Sequence, residues 1–369
     1  MRTPLVVVTG VDAAAMSAAV LGLLWDTPDA VALTHHIDPD TQVLTRVVSD
    51  QTGEIEREEI PLEHACVSCA LREDVLPTLD RLARQSRWRT IVARLPVGAP
   101  ADQLAHALAA DPRLARRLRL LSLVAVLDGC RLVEDLVGPA TMRDRGLHTG
   151  PDDERGIGEV ACSLVESADV VVLADPDPAP RPGDSAPNRE AGAALVRALG
   201  RRDTALVEGT EHLGLDVVAR TGHQHRRYAE HTSPFFPVHP DSADHAHVWQ
   251  VELSTPRAFH PDRLLDELDV LADGAHRSRG CFWVPTRPGS VQVWDGAGGH
   301  LSLAAEGTWG RRAPCSRIVV TGPGEMPSSV TAGWERLLLT PAEARSEPRT
   351  WRVAEDGLEP WLGPIRDVA

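Results

Sequence analysis

Six short apolar segments recur through the first 220 residues, each followed by a stretch with helical spacing, and this rhythm constrains the fold more than any other feature of the chain. They read LVVVTG, DAVALTHH, RTIVARL, LSLVAVLDG, ADVVVLAD and TALVEG. A strand that is apolar at nearly every position is buried on both faces. Intervening helices supply the covers, so the expected class is α/β, with a parallel sheet between layers of helix. Ligands of such sheets bind at the carboxyl ends of the strands. Those ends are Gly10, His35 with His36, Leu95 with Pro96, Asp128, and Asp175 to Asp177.

The rhythm stops near residue 220. Residues 221–247, TGHQHRRYAEHTSPFFPVHPDSADHAH, read as a His- and Pro-rich linker. Residues 248–345 carry the helical pattern PDRLLDELDVLADG and the strand-like segments CFWVPTR, VQVWDG, HLSLAAE and RIVVTG, which predict a smaller α+β domain. Residues 346–369, with prolines and glycines throughout, read as a loosely attached tail. A chain of 369 residues is long enough for each domain to bury its own core without disulfide staples.

No apolar run approaches the roughly 18 residues of a membrane span, and the start lacks the pattern of a secretory leader, so the cytoplasm is the default location and no membrane partner is expected. The formal charge of −15 opposes any strong general grip on nucleic acid, which needs clustered cations. Arg113, Arg116, Arg117 and Arg119 read as a solvated helix face.

The first apolar segment continues as VVVTGVDAAAMSAAVLGLL, the strand–loop–helix setting of a phosphate-binding G-x-x-x-x-G-K-[ST] loop. In that register Gly10 is the first glycine and Ser17 the metal-binding hydroxyl, but Ala15 replaces the second glycine and Met16 the lysine. All 38 basic residues are arginine, so no lysine elsewhere can reach the β- and γ-phosphates. Met16 reads as an exposed loop residue, where a change to Lys should cost less than about 1 kcal/mol.

The sharpest local signal is EHACVSCALREDVLPTLDRLARQ. Cys66 and Cys69, at the entry to a helix, can face one ion, and helix N-terminal amides favour the thiolate. Tetrahedral zinc takes four ligands, so the pair supplies half a site. His64 and Glu63 just upstream, or His35, His36 and Asp38 at the end of the second strand, are candidates for the rest. Two alternatives stand beside zinc: a thioredoxin-like redox pair, disfavoured by the acidic lead-in EIEREEIPLEHA, and two inert cysteines. Cys130, Cys162, Cys281 and Cys315 lie in apolar runs and read as small core residues. The spread histidines His223, His225, His231, His239, His245 and His247 suit weak metal contact at most.

Taken in order, these segments resemble the CobW-like family of P-loop GTPases, which includes cobalamin-biosynthesis proteins, nickel-insertase helpers and zinc metallochaperones. The resemblance covers roughly residues 3–340. ACVSCALREDV is similar to the family's GCVCCxxREDL at Cys66, Cys69, Leu71, Arg72, Glu73 and Asp74, with Ser68 in place of the middle cysteine. SLVAVLDGCRLVEDL resembles the strand ending in a valine–aspartate pair. VESADVVVLADPDPA resembles the guanine-recognition strand, and AFHPDRLLDEL with RSRGCFWV the C-terminal domain. Three nucleotide contacts depart from the pattern. Besides Ala15 and Met16, Ala174-Asp175-Pro176-Asp177 replaces Asn-Lys-x-Asp, retaining only Asp177, and RLPVGAP replaces the Glu-Thr-[ST]-Gly switch.

The resemblance therefore implies a pseudo-GTPase domain with a vestigial nucleotide site at Gly10, Ser17 and Asp177, GTP doubtful as a ligand, and zinc as the implied metal on Cys66, Cys69 and His64. Within the family, the match is to actinobacterial C-x-x-C members of the zinc-starvation response. That implies a zinc-homeostasis protein with no catalytic residues, whose partner is a protein client or a ribosome-associated factor. A working GTP-dependent zinc metallochaperone and an adaptor with little metal dependence are the alternatives.

Overall fold

The computed structural model describes residues 2–62, 66–175, 186–235, 247–345 and 348–365. The chain divides into two compact units, one of residues 1–135 and 140–232, the other of 136–139 and 233–369.

The first unit is built on an eight-stranded sheet: β1 Thr3–Gly10, β2 Ala30–Asp38, β3 Val43–Asp50, β4 Gly53–Pro61, β5 Thr90–Arg94, β6 Leu118–Asp128, β7 Val170–Ala174 and β8 Ala205–Glu208, in the order β4-β3-β2-β5-β1-β6-β7-β8. From β2 to β8 every neighbouring pair is parallel, as the six apolar segments predict. Side chains alternate across the sheet. Leu5 and Val7 enter one core with Leu79, Leu82 and Leu104, while Val6 and Val8 enter the opposite core with Met16, Ala19, Val20, Leu23 and Leu24. Those five, from the helix Ala13–Trp25, recur at intervals of three and four, which keeps one stripe of the helix on the sheet.

Strands β3 and β4 form an antiparallel hairpin that extends the sheet at its edge. This hairpin is absent from the six-segment reading. The reason is composition: GEIEREEIP is exposed along most of its length and rich in glutamate, a residue depleted in strands. The hairpin turns at Gly53, which takes φ 123°, a conformation that favours glycine.

Two expectations need correction. Residues 225–232, inside the stretch read as a linker, form a helix, His225–Thr232, and its Tyr228 is 1% exposed. One aromatic side chain with a hydroxyl partner anchors it. His239 and His245 lie outside the described residues.

The second unit holds an antiparallel five-stranded sheet of β9 Val248–Thr255, β10 Arg277–Phe282, β11 Ser290–Ala297, β12 His300–Thr308 and β13 Ser316–Pro323, in the order β12-β11-β10-β13-β9. One face packs on the helices Pro261–Asp266 and Ser328–Leu337 through Phe259, Phe282, Trp294 and Trp334, with Phe259 and Phe282 stacked at 5.1 Å between ring centroids. Residues 348–365, read as a loose tail, are docked on this unit. Leu358 is wholly buried, and the Arg287 guanidinium pairs with Asp356 at 2.8 and 2.9 Å while donating to the carbonyl of Gly363. Turn-forming prolines and glycines hide such docking in a sequence, because two buried leucines and one ion pair leave no periodic trace.

Candidate functional site: a closed phosphate loop and a thiol pair

At the end of β1 the chain turns through Val11 and Asp12 into the helix Ala13–Trp25. Asp12 is the N-cap. Its Oδ1 accepts from the amides of Ala14 and Ala15, both at 2.9 Å. Helix N-terminal amides are the groups that hold a phosphate in a working loop; here the chain's own carboxylate takes two of them. Ser17 turns its hydroxyl onto its own helix, donating to Ala13 O at 2.8 Å. Met16 is fully buried, against the expectation of an exposed loop residue. It packs over Gly10, where an added Cβ would lie 3.1 Å from Met16 Cγ and would collide with the carbonyl oxygen of Val126. Gly10 is thus needed for close packing, with no appeal to a ligand.

The segment after β5 is stitched onto the same loop. Gly98 N donates to Gly10 O at 2.9 Å, and Thr9 Oγ1 donates to Ala99 O at 2.9 Å. Arg94, buried, donates to His35 O and Ala13 O at 3.3 and 3.2 Å, and burial lowers its pKa. Asp175, in the segment that aligns with the base-recognition motif, pairs with Arg189 at 2.6 Å. Asp177 lies outside the described residues.

The thiols sit at the start of a continuous helical run, Val67–Ala70, a wider π turn Leu71–Val75, and Leu76–Gln85. Cys66 caps it in extended conformation, with φ −102° and ψ 121°. Burial works to raise the Cys66 pKa, but the amide and thiol of Cys69 and the amide and hydroxyl of Ser68 outweigh it, and the net shift is downward. Cys69 shifts upward because its thiol donates to Cys66 and because of burial; Arg72, whose Nη2 is 3.7 Å from Cys69 Sγ, opposes this. The two thiols therefore titrate apart, with Cys66 shifted downward and Cys69 upward. Cys66, half-buried, also lines a cleft of about 530 Å³ with Ser68, Gly98, Gln103, Asp153 and Glu159. Burial works to raise Asp153 as well, yet the Arg155 guanidinium and the Thr149 amide hold it down at about 2. A larger cavity of about 1780 Å³ belongs to the second unit, bordered by Trp283, Trp351 and Trp361, and carries none of the candidate groups.

The remaining candidates are placed as follows. Glu63 and His64 lie outside the described residues. His35 is wholly buried with Nε2 committed to Asp74 at 2.7 Å, so it serves the protein interior and is no free ligand. His36 is exposed on the sheet surface, and Asp38 Oδ1 accepts from the amides of Asp40 and Thr41. Among the described residues no group of three or more His, Cys, Asp or Glu is arranged to hold a metal ion. Sequence reasoning missed Arg46 and Asp74 as a unit. Asp74, in the π turn, is gripped by His35 from β2 and by Arg46 from β3, and Arg46 also binds Glu56 and Glu58 of β4. The signal available was only the REDV of the thiol motif.

Residues 36–194 match the family model described as "CobW/HypB/UreG, nucleotide-binding domain", and residues 248–338 match "Cobalamin synthesis protein cobW C-terminal domain". The protein "Zinc chaperone Rv0106" of Mycobacterium tuberculosis is 31% identical over 324 residues, covering 84% of this chain and 74% of that one. The chain belongs to the CobW family. Membership accounts for the order of its two units, with the nucleotide-binding match in the first and the C-terminal match in the second. A more distant relative, "Zinc-regulated GTPase metalloprotein activator 1" of Dictyostelium discoideum, is 19% identical over 266 residues, 68% of this chain and 54% of that one. A solved structure of Zn(II)-bound YjiA GTPase from E. coli aligns with 91% of this chain and 99% of that chain at 14% identity, with a TM-score of 0.39. The nucleotide-binding match begins at residue 36, beyond the loop at Gly10. No helix among the described residues is long and apolar enough to cross a membrane.

Proposed function

We propose that this CobW-family protein binds zinc through Cys66 and Cys69 as part of zinc homeostasis, on a nucleotide-binding scaffold that no longer takes GTP. The observation that carries the thiol half is the depressed Cys66 beside a donating Cys69, since the thiolate is the form that ligates metal. Two sulfurs are half of a tetrahedral set. His64 would be a third ligand and a group on the acceptor the fourth, and an incomplete protein set suits an ion that is passed on. Zinc is cargo on this reading, and the names of the mycobacterial and Dictyostelium relatives point the same way. The pseudo-GTPase half is supported by Asp12 on the helix amides and Met16 in the core. A phosphate entering the loop would have to displace a carboxylate and would find no lysine.

The partner is a protein that accepts zinc, with a ribosome-associated factor under zinc limitation the class that the resemblance to actinobacterial members favours. The rival, a GTP-dependent metallochaperone, takes its support from the Dictyostelium relative's name. Metal analysis of protein purified without chelators, alongside a GTP-binding assay, separates them. The expected result is about one zinc per chain, lost in the Cys66→Ala, Cys69→Ala double variant, with no measurable GTP binding. Zinc retained by the double variant overturns the thiol site. GTP hydrolysis that disappears on Ser17→Ala overturns the pseudo-GTPase half.

A further inference from the structure

The second unit carries another pair of cysteines. Cys281 on β10 lies directly opposite Arg317 on β13. Cys315 lies just before β13, two residues ahead of Arg317, and the Cys281 thiol hydrogen-bonds to it. Both belong to one apolar cluster with Val291 and Trp309, against which Phe235 and Trp283 pack. Only Cys315 is partly open to solvent; Cys281 is 1% exposed. Burial, and then the neighbouring Cys315, push the Cys281 thiol up to about 12, against the opposing pull of Arg317 and Arg312. Cys281 therefore keeps its proton at neutral pH.

The charges beside the pair decide between metal and redox chemistry. Two cations, Arg312 and Arg317, act on the pair and disfavour a metal ion there; Arg317 is shared with Glu252 at 2.7 and 3.0 Å, and Arg312 stacks over Phe235 at 4.3 Å. The geometry points to a peroxide-responsive dithiol in the second unit, in which Cys315 is oxidised first and Cys281 closes onto it as a disulfide. The Cys315 thiolate attacks hydrogen peroxide, forming an S–O bond as the O–O bond breaks, and the leaving hydroxide takes a proton to become water. The Cys281 sulfur then attacks the sulfenic sulfur. An S–S bond forms, the S–O bond breaks, and the second hydroxide leaves as water with the Cys281 proton. Two thiols lose two electrons and one peroxide becomes two waters. The bond would tie β10 to the start of β13 across the sheet and lock the cluster beneath Trp309, whose indole N–H is buried without a hydrogen-bond partner among the described residues.

The test uses the full chain carrying Cys66→Ala and Cys69→Ala, so that the zinc-site thiols cannot contribute and the outcome is independent of the zinc proposal. The chain is treated with hydrogen peroxide, alkylated with N-ethylmaleimide, digested and mapped by mass spectrometry. The expected result is the loss of two titratable thiols and an intrachain peptide joining Cys281 to Cys315, both reversed by dithiothreitol. Adding Cys281→Ala should leave a sulfenic acid at Cys315 that dimedone traps, and adding Cys315→Ala should abolish the link. The linked-peptide map does not depend on either further variant folding. A chain that keeps these thiols, a link between chains, or direct conversion of Cys315 to sulfinic acid with Cys281 still alkylatable overturns the inference.

Discussion

His35 Nε2 on β2 and Asp74 Oδ1 in the π turn below the thiols are hydrogen-bonded at 2.7 Å, with both residues buried. The pair ties the helical run that begins at Cys66 to the sheet, and Arg46 grips the other carboxylate oxygen. Replacing Asp74 by Ala leaves Arg46 and His35 without their shared partner. The expected loss is about 3 kcal/mol of stability, as for a broken buried ion pair, with weaker zinc binding because the thiol segment loses its anchor. Urea unfolding and a zinc competition titration check both effects, and unchanged values in the two would show that Asp74 positions nothing.

The same pair sets a pH dependence. Burial lowers His35 below its ordinary value, outweighing the raising effect of Asp74; burial, with His223 and His106, lowers His225 as well. A depressed folded pKa means the unfolded chain binds more protons, so this stability is present above the unfolded histidine value of about 6.5 and is lost as pH falls through it toward the lower folded value. Each group contributes a slope of up to about 1.4 kcal/mol per pH unit in that window. Chemical denaturation from pH 7.5 to 5 should show falling stability, and the Tyr228 helix should lose amide protection early. A flat profile would count against buried neutral histidines.

Met16 lies in the core, so Met16→Lys should destabilise by about 3 kcal/mol or more, as a charge buried without a partner does. Asp12→Ala should cost about 1 kcal/mol through loss of the N-cap and should free the amides of Ala14 and Ala15. Neither change, nor both together, is expected to create GTP binding, because the base-recognition segment still reads Ala174-Asp175. Thermal denaturation and fluorescent-nucleotide titration measure these outcomes, and tight GTP binding by the double variant would show that the loop is closed by these two side chains alone.

Cys66 should be alkylated by iodoacetamide several-fold faster than Cys69 at neutral pH, since only its pKa is lowered. Arg72→Ala removes the cation beside Cys69 and should slow Cys69 further while sparing Cys66. Peptide mapping at timed intervals resolves the two. Equal rates would remove the thiolate–thiol asymmetry on which the zinc reading leans.

Arg287→Ala removes the counter-charge of the Asp356 carboxylate, whose side chain is 1% exposed, leaving it only the Thr286 hydroxyl and the Leu358 amide, and should cost about 3 kcal/mol. The last residues should then become the first site of limited proteolysis. Resistance equal to the parent chain would mean that Leu358 and Leu362 hold the segment by themselves.

The sequence determined by itself what is local or periodic. Near-continuous apolar runs forced a buried parallel sheet, because a strand apolar on both faces has no other stable place. The residue identities at 15, 16 and 174–177 set the expectation of departed phosphate and base contacts, and the spacing of Cys66 and Cys69 set the expectation of a thiol pair. Tertiary structure decided everything that depends on register between distant segments. Strand pairing brought His35 and Arg46 to Asp74, and packing brought Cys281 and Cys315 into one cluster. Packing turned Met16 inward, and the glutamate-rich β4 found its place as an edge strand whose carboxylates meet Arg46 and Arg81. Such pairings follow from which strands become neighbours, a choice made by the burial of the whole sheet and carried by no short stretch of the chain.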